Sequence, residues 1–364
     1  MPRLFYLAWW QLRAWCGRQV PLQSVIFILD KCNLRCKHCS VYAISTPRIK
    51  TLAQIKEELE YCYAQGSRFV DFEGGELYLW RDNSNPERPY DINDVVDLAH
   101  EIGFWNVTIT TNAQLSFVGT HADQVWVSMD GIKEWHDNIR GAGTFERLER
   151  NIALYAEEMD DGRCKMDDVR CKMEDVRGMK EDVRCKKRKA PVCVNMVINN
   201  ENCDSIDATM EYVKENPNID KISVNFHTPF SETEQLFLDP DKRNEIIDKL
   251  LDYKRRGYPI MNSRSGLKAM KMKDGKTLCT DKYCWITNFI FSDGSRAPKC
   301  MGYTHGVCDR CGFSMGGEMS AVGRMKIDTL ISGMKLRIGQ LIISFAEPVA
   351  YSLLLYTPRR GSFA

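Results

Sequence analysis

The sequence has no excess of charge of either sign. Its 50 lysine and arginine residues nearly balance its 49 aspartate and glutamate residues, which gives a net charge of +1. A protein with so little net charge creates no long-range field that would attract a polyanion. We therefore expect no nucleic-acid partner.

The sequence also has no convincing secretory signal and no uninterrupted apolar run that would cross a membrane. The apolar start at residues 4–10 is short and is broken by Gln11 and Arg13. Residues 338–355 are mostly apolar, but Gln340, Glu347 and Pro348 interrupt them. These features predict a cytoplasmic protein.

Two segments have a composition that also suits a membrane surface. Residues 1–20 combine five aromatic side chains with three arginines, as interfacial helices do, and residues 324–364 form a hydrophobic tail. One interpretation is that both segments pack on the protein's own core. The other is that they make peripheral membrane contact. The sequence leaves both interpretations open.

Cysteine is abundant, with 15 residues in a chain of 364. The number is odd, and a chain of this length does not need disulfides in place of a hydrophobic core. In a reducing compartment, clustered cysteines more often bind metal or carry out redox chemistry. The cysteine content therefore favours a metal or redox protein.

From residue 22 onward, short apolar runs alternate with longer runs of helical periodicity. The predicted strands span residues 25–29, 69–72, 107–110, 125–129, 192–198 and 222–226. The predicted helices span residues 52–64, 92–102, 145–157 and 206–214. This alternation indicates an α/β fold with a parallel sheet, either open or barrel-like. In such sheets, functional groups gather at the carboxyl ends of the strands.

The chain divides into four predicted parts. An amphipathic helix at residues 1–20 precedes an α/β core at 21–235, a cysteine-containing extension at 236–323 and the hydrophobic tail at 324–364. Residues 160–190 interrupt the core with a tandem heptad repeat in which Cys164, Cys171 and Cys185 recur without compact ligand spacing. We expect this insertion to be a solvated helical or disordered segment with no catalytic role.

Three cysteines, Cys32, Cys36 and Cys39, follow the first predicted strand directly. Thiolates in so short a loop can converge on one metal centre, whereas a closed structural zinc site would need a fourth ligand, such as a distant histidine. A [4Fe–4S] cluster on three cysteines leaves one iron open to a small molecule. Such a cluster can pass an electron to a sulfonium and so generate a radical.

The CxxxCxxC spacing after the first strand resembles the signature of the radical S-adenosylmethionine (SAM) superfamily. The resemblance implies a partial (βα)6 TIM-like barrel with a C-terminal cysteine-rich extension. It also implies that the three cysteines bind a [4Fe–4S] cluster, that SAM binds the open iron, and that an electron donor such as flavodoxin or ferredoxin reduces the cluster.

Motifs at the ends of the next strands are similar to those of the same superfamily. They are the sequences EGGE at 73–76, TTN at 110–112 and SMDG at 128–131. The resemblance implies SAM contacts from Gly74, Gly75, Glu76, Asn112, Ser128, Asp130 and Arg140, with Asn195 as a lesser candidate. For Arg140, the role of a loop anchor is an equal alternative.

A second group of cysteines lies in the extension and comprises Cys284, Cys300, Cys308 and Cys311. It resembles the auxiliary-cluster extensions of radical SAM maturases, although the spacing after Gly294 departs by one residue. The layout is also loosely similar to the adenosylhopane synthase family. A second [4Fe–4S] cluster, a zinc ion and no metal at all remain open for this group, and Cys279 is interpreted as a spare cysteine.

Together these features predict an enzyme that reductively cleaves SAM to a 5′-deoxyadenosyl radical. The radical would act on an unreactive carbon of an unidentified substrate, either a lipid or a peptide or cofactor undergoing maturation. No general base is predicted, because hydrogen abstraction requires none. The alternative is a non-catalytic scaffold protein that binds zinc or an iron–sulfur cluster.

Overall fold

The structure of the chain is a computed structural model, and it describes residues 3–39, 46–160, 190–230, 232–279, 281–297 and 300–329. The heptad insertion, with its three cysteines, lies outside the described residues except at residues 160 and 190. Of the hydrophobic tail, only residues 324–329 are described.

Ten helices lie within the described residues. They are α1 (Arg3–Trp15), α2 (Leu52–Gln65), α3 (Ile92–Ile102), α4 (Lys133–Arg140), α5 (Thr144–Asp160), α6 (Ile206–Glu215), α7 (Pro240–Arg255), α8 (Arg264–Ala269), α9 (Met301–Thr304) and α10 (Ser314–Gly323). The strands of the same part of the chain are β1 (Gln23–Leu29), β2 (Phe69–Gly74), β3 (Asn106–Thr111), β4 (Gln124–Ser128), β5 (Val192–Ile198), β6 (Lys221–Phe226), β7 (Met272–Lys273), β8 (Lys276–Thr277), β9 (Thr287–Ile290) and β10 (Arg296–Ala297).

Strands β1 to β6 lie side by side in chain order, and every neighbouring pair is parallel. This arrangement confirms the predicted α/β fold with a parallel sheet. The extension adds β9 parallel to β1 and β10 antiparallel to β9. These two short strands flank a turn at Gly294, whose φ of +79° suits glycine.

The two faces of the sheet differ in polarity, because successive side chains of a strand point to opposite sides. One face packs against the helices and supplies the main core, for example with Ile26, Phe72 and Val127. The opposite face carries polar side chains such as Asp71, whose carboxylate accepts a hydrogen bond of 2.7 Å from the Thr108 hydroxyl. The barrel interior therefore offers polar groups.

The extension contacts both edge strands of the β1–β6 arc. At one edge, β9 extends the sheet from β1. At the other, the amide of Phe226 donates a 2.8 Å hydrogen bond to the Gly312 carbonyl, and the amide of Ser314 donates one of 2.6 Å to the side-chain oxygen of Asn225. A Cβ at position 312 would lie 2.0 Å from the Phe226 carbonyl oxygen, so the close approach requires glycine.

Helix α1 packs on the core through one face only. Tyr6 and Trp10 are buried, and the Trp10 indole donates a 2.7 Å hydrogen bond to the Val20 carbonyl. The opposite face exposes Phe5, Trp9 and other apolar side chains. Among the residues that the structure describes, no helix combines the length and apolarity needed to cross a membrane.

Candidate cluster and cofactor site

The three predicted cluster ligands lie in a tight loop directly after β1. Cys36 is buried, and Cys32 and Cys39 are partly exposed. The amide of Cys39 donates a 3.1 Å hydrogen bond to the Cys36 carbonyl. Burial raises the pKa of the Cys36 thiol to about 11, and the charges of Cys39 and Cys32 act in the same direction. The three sulfurs are therefore close enough to interact electrostatically, and a bound cationic centre would displace their protons.

The loop carries three thiols, of which two are partly exposed. In the described ranges, no three histidine, cysteine, aspartate or glutamate side chains are already gathered as ligands of one metal ion. A cubane cluster binds each thiolate through a different iron, so its ligands stand farther apart than those of one ion. Three thiols with a partly exposed side fit a cluster that keeps one iron accessible.

Two of the predicted SAM-site residues converge on the loop sulfurs. Asn112 lies just after β3. Its side-chain Nδ2 is 3.7 Å from the Cys32 Sγ and donates a 2.8 Å hydrogen bond to the side-chain oxygen of Asn33. The Arg140 Nη1, at the end of α4, lies 3.8 Å from the Cys36 Sγ. Donors at these positions favour thiolates and help to set the potential of a bound cluster.

Asp130 supports Arg140 from behind the loop. Its side chain is fully buried; one carboxylate oxygen accepts a 2.6 Å hydrogen bond from the Arg140 Nε, and the other accepts one of 2.9 Å from the Val197 amide. Burial alone would raise the pKa of Asp130, but the charge of Arg140, the two neighbouring histidines and the hydrogen bond from the Val197 amide together outweigh burial and hold the pKa below its usual range. The Asp130 carboxylate is thus engaged within the protein and positions Arg140.

Two histidines complete this polar cluster, of which His136 is buried and His38 is slightly exposed. The His38 Nε2 lies 3.8 Å from an Asp130 carboxylate oxygen, and the His136 Nδ1 accepts a 3.3 Å hydrogen bond from the Asp130 amide. Burial lowers the pKa of each histidine to about 4. Both rings are therefore neutral at physiological pH, and Arg140 alone balances the charge of Asp130.

Glu76 joins the ends of β2 and β3. Its fully buried carboxylate accepts a 2.7 Å hydrogen bond from the Thr111 hydroxyl and one of 2.8 Å from the backbone N–H of Asn112. Thr111 is not among the site residues predicted from the sequence, although it lies within the TTN motif at 110–112. Glu76 therefore fixes the segment that carries Asn112.

Gly74 and Gly75 allow the end of β2 to approach the start of the cysteine loop. A Cβ at Gly74 would lie 2.2 Å from the Leu29 carbonyl oxygen, and one at Gly75 would lie 2.0 Å from the Lys31 carbonyl oxygen. Either contact is too short for a side chain, so these positions require glycine. The two residues bring the backbone of β2 against the loop that carries the three cysteines.

A row of polar side chains lines the inner ends of β4, β5 and β6. Ser128 pairs in register with Asn195. The Asn195 side-chain oxygen accepts a 2.6 Å hydrogen bond from the side-chain Nδ2 of Asn225. All three residues are partly exposed. These side chains are accessible to a ligand inside the barrel, and Asn225 was not selected from the sequence.

The second group gathers five cysteines instead of the predicted four. Cys279 is hydrogen-bonded through its side chain to Cys311, and Cys284 is bonded in the same way to Cys300. The charge of Cys308 also contributes to raising the pKa of the Cys284 thiol. Cys279 is therefore part of the group and not a spare cysteine. Its position five residues before Cys284, in the sequence CTDKYC, was the available signal.

A glycine keeps space open beside these sulfurs. A Cβ at Gly316 would lie 3.1 Å from the Cys279 Sγ and 3.6 Å from the Cys311 Sγ. Gly316 belongs to α10, which packs closely against α8. The helix thus approaches the sulfurs without a side chain between them, and the donor set of thiols fits an iron–sulfur cluster.

Comparisons with known proteins show similarity in sequence and in fold. Residues 26–166 match the family model of the Radical SAM superfamily. No curated protein matches the sequence.

Among solved structures, the chain is similar to Streptococcus suis SuiB bound to S-adenosylmethionine, with 18% identity and a TM-score of 0.54 over 78% of this chain and 61% of SuiB. It is also similar to SuiB bound to precursor peptide SuiA, with 17% identity and a TM-score of 0.54 over 79% of this chain and 61% of SuiB. Native anSMEcpe with bound AdoMet and Cp18Cys peptide is 16% identical, with a TM-score of 0.51 over 85% of this chain and 81% of anSMEcpe. The chain thus spans less than two thirds of the length of SuiB, and at these identities the likeness concerns the fold.

Breaking the buried ion pair is expected to destabilise the protein strongly. Arg140→Met leaves the Asp130 charge buried without a partner, and Asp130→Asn leaves Arg140 in the same state. Each change should lower the free energy of unfolding by about 3–5 kcal/mol, and the double variant should lose less than the sum. Urea denaturation of the metal-free protein measures all three values.

The matched control is the exposed pair of Lys242 and Glu245, which are 3.4 Å apart. Lys242→Ala should cost less than about 1 kcal/mol. Losses at Asp130 and Arg140 as small as this control would contradict the positioning role of the buried pair.

Proposed function

We propose that the chain is a radical SAM enzyme in which Cys32, Cys36 and Cys39 bind a [4Fe–4S] cluster that reductively cleaves SAM, and the family-model match over residues 26–166 supports this proposal. When bound, the cluster supplies one electron that breaks the bond between the sulfonium sulfur and C5′, giving methionine and a 5′-deoxyadenosyl radical that attacks an unreactive carbon. The observation that carries this proposal is the convergence of Asn112 and Arg140 on the sulfurs of the three-cysteine loop.

The surrounding residues take two kinds of role in this proposal. Asn112 and Arg140 stabilise negative charge on the loop sulfurs, and Ser128 and Asn195 offer polar groups to SAM from the inner side of the barrel. Asp130 and Glu76 act indirectly, because their carboxylates are already bonded within the protein. Gly74 and Gly75 hold the end of β2 against the loop.

We further propose that four of the five cysteines of the extension bind a second [4Fe–4S] cluster, with Cys279 among its ligands. The side-chain contact between Cys279 and Cys311 supports this assignment, as does the space that Gly316 leaves beside both sulfurs. An electron donor such as flavodoxin or ferredoxin would reduce the protein.

Two observations bear on the substrate. The solved structures of SuiB with precursor peptide SuiA and of anSMEcpe with Cp18Cys peptide favour a peptide. The exposed apolar face of α1 favours a substrate presented at a membrane, such as a lipid. Incubation with deuterated SAM and cell extract, followed by mass spectrometry of the peptide and lipid fractions, separates the two by the position of the label.

Loss of any cysteine of the first loop should abolish SAM cleavage. Anaerobically reconstituted protein mixed with SAM and dithionite is expected to release 5′-deoxyadenosine, measured by chromatography. Cys32→Ala, Cys36→Ala and Cys39→Ala should each reduce the product to background, because a cubane held by two thiolates is not retained.

The control for these variants is Cys203→Ser, which removes a cysteine distant in sequence from both groups and leaves their thiols unchanged. This variant should keep the wild-type yield. If wild-type protein containing about four irons per chain releases no 5′-deoxyadenosine, the radical mechanism is wrong, and the non-catalytic scaffold becomes the better explanation.

Iron counting tests the second centre separately. A variant that lacks Cys32, Cys36 and Cys39 should still bind about four irons per chain, and adding Cys279→Ala should remove most of them. Cys16→Ser in the same background should have no effect, because Cys16 is an exposed residue that follows α1. Stoichiometric zinc instead of iron, or iron that survives Cys279→Ala, would contradict the assignment.

We also propose that α1 contacts an anionic membrane surface. Phe5, Trp9 and Leu12 follow one another at helical spacing on its exposed face, with 69%, 38% and 56% of their surface exposed. Residues 1–29 contain three arginines and no acidic residue, so the segment complements anionic headgroups.

Removing the exposed aromatic side chains should weaken this contact. The double variant Phe5→Ser/Trp9→Ser is expected to lower co-sedimentation with phosphatidylglycerol vesicles by about tenfold or more, because two large apolar side chains no longer insert. Ile327→Ser is the matched control, since Ile327 is 72% exposed at a different site. Equal loss in both variants, or no binding by the wild type, would contradict a specific role for α1.

A further inference from the structure

A fully buried arginine lies against the five-cysteine group. Arg243, in the first turn of α7, has no exposed surface. Its Nη2 donates a 2.7 Å hydrogen bond to the Cys311 carbonyl, and its guanidinium lies 4.8 Å from the centre of the Phe226 ring. Its Nε is buried without a hydrogen-bond partner in the structure. Arg243 lies on the buried face of α7, at helical spacing from Ile246 and Ile247.

The charge of Arg243 has no carboxylate partner among the described residues. The negative groups that act on it are the thiols of Cys311 and Cys279. A cation without any counter-charge is strongly disfavoured in a protein interior. If the five cysteines were all neutral thiols, Arg243 would be buried uncompensated. Negative charge on the neighbouring sulfurs would compensate the charge of the arginine.

We propose that Arg243 is the counter-cation of the second sulfur centre and raises its reduction potential. This inference rests on the proposed second cluster. A cluster bound by four thiolates is an anion that gains a further negative charge on reduction. A fixed positive charge nearby stabilises the reduced form more than the oxidised form. Arg243 is thus a positioning residue that acts through Cys311 and Cys279, not a ligand.

The test uses the full chain lacking Cys32, Cys36 and Cys39, so that only the second centre contributes a signal. Arg243→Met and Arg243→Gln remove the charge, and Arg243→Lys retains it. A redox titration followed by electron paramagnetic resonance gives the midpoint potential of each variant. Arg243→Met and Arg243→Gln are expected to disfavour reduction by at least tenfold, a shift of about 59 mV to more negative potential. Arg243→Lys should remain closer to the parent.

The control is Arg310→Met. Arg310 is adjacent to Cys311 in sequence, but it lies at the surface and pairs with Glu234, so solvent screens its charge and the potential should not change. Iron content and the unfolding midpoint are measured for every variant, which separates a change in potential from a loss of folding. If the charge-removing variants keep the potential of the parent, the inference about Arg243 is wrong. If the parent itself binds no cluster, the second centre is wrong.

Discussion

The ion pair between Asp130 and Arg140 is the contact on which the arrangement of the cysteine loop depends. Asp130 follows β4, accepts a hydrogen bond from the Val197 amide in β5, and holds Arg140 at the end of α4. Arg140 in turn reaches the Cys36 sulfur. A single buried carboxylate therefore connects two strands, one helix and the loop. Because charges buried together are costly to separate, the position of Cys36 relative to the sheet is strongly constrained.

Each sulfur group has its own buried arginine, but the two arginines differ in charge balance. Arg140 shares its charge between the Asp130 carboxylate and the Cys36 sulfur, whereas Arg243 has no carboxylate partner among the described residues and faces Cys311 and Cys279. The protein interior is thus close to neutral beside the first group and positive beside the second. Two chemically identical clusters would experience different fields at these positions, which is a general way in which proteins tune iron–sulfur centres.

Much of the barrel could be predicted from the sequence, because strands and helices each have a characteristic spacing of apolar residues along the chain. The strand 192–198 was predicted with its observed limits, and β2 runs two residues beyond its predicted end because Gly74 pairs with Leu29. The roles of Asp130 and Glu76 were harder to predict. Motif position indicates that a carboxylate lies near the site, but only the fold shows whether other protein groups already occupy it.

The contacts of Cys279 and Arg243 could not be predicted for a different physical reason. Cys279 contacts Cys311, which is 32 residues away in sequence, and Arg243 contacts Cys311 across a sequence separation of 68 residues. No local pattern records such contacts. An arginine in an amphipathic helix is usually solvated, so the sequence favours the surface for Arg243 until the surrounding sulfurs are known.

The extension that begins after residue 235 also has a consequence for how the barrel can exist at all. Its strand β9 covers one edge of the parallel arc, and its backbone at Gly312 covers the other. Bare strand edges pair readily with other chains. The barrel therefore depends on the extension for protection of both edges. A shortened relative would need some other way to protect them, and a gene fusion that replaced the extension would have to supply one.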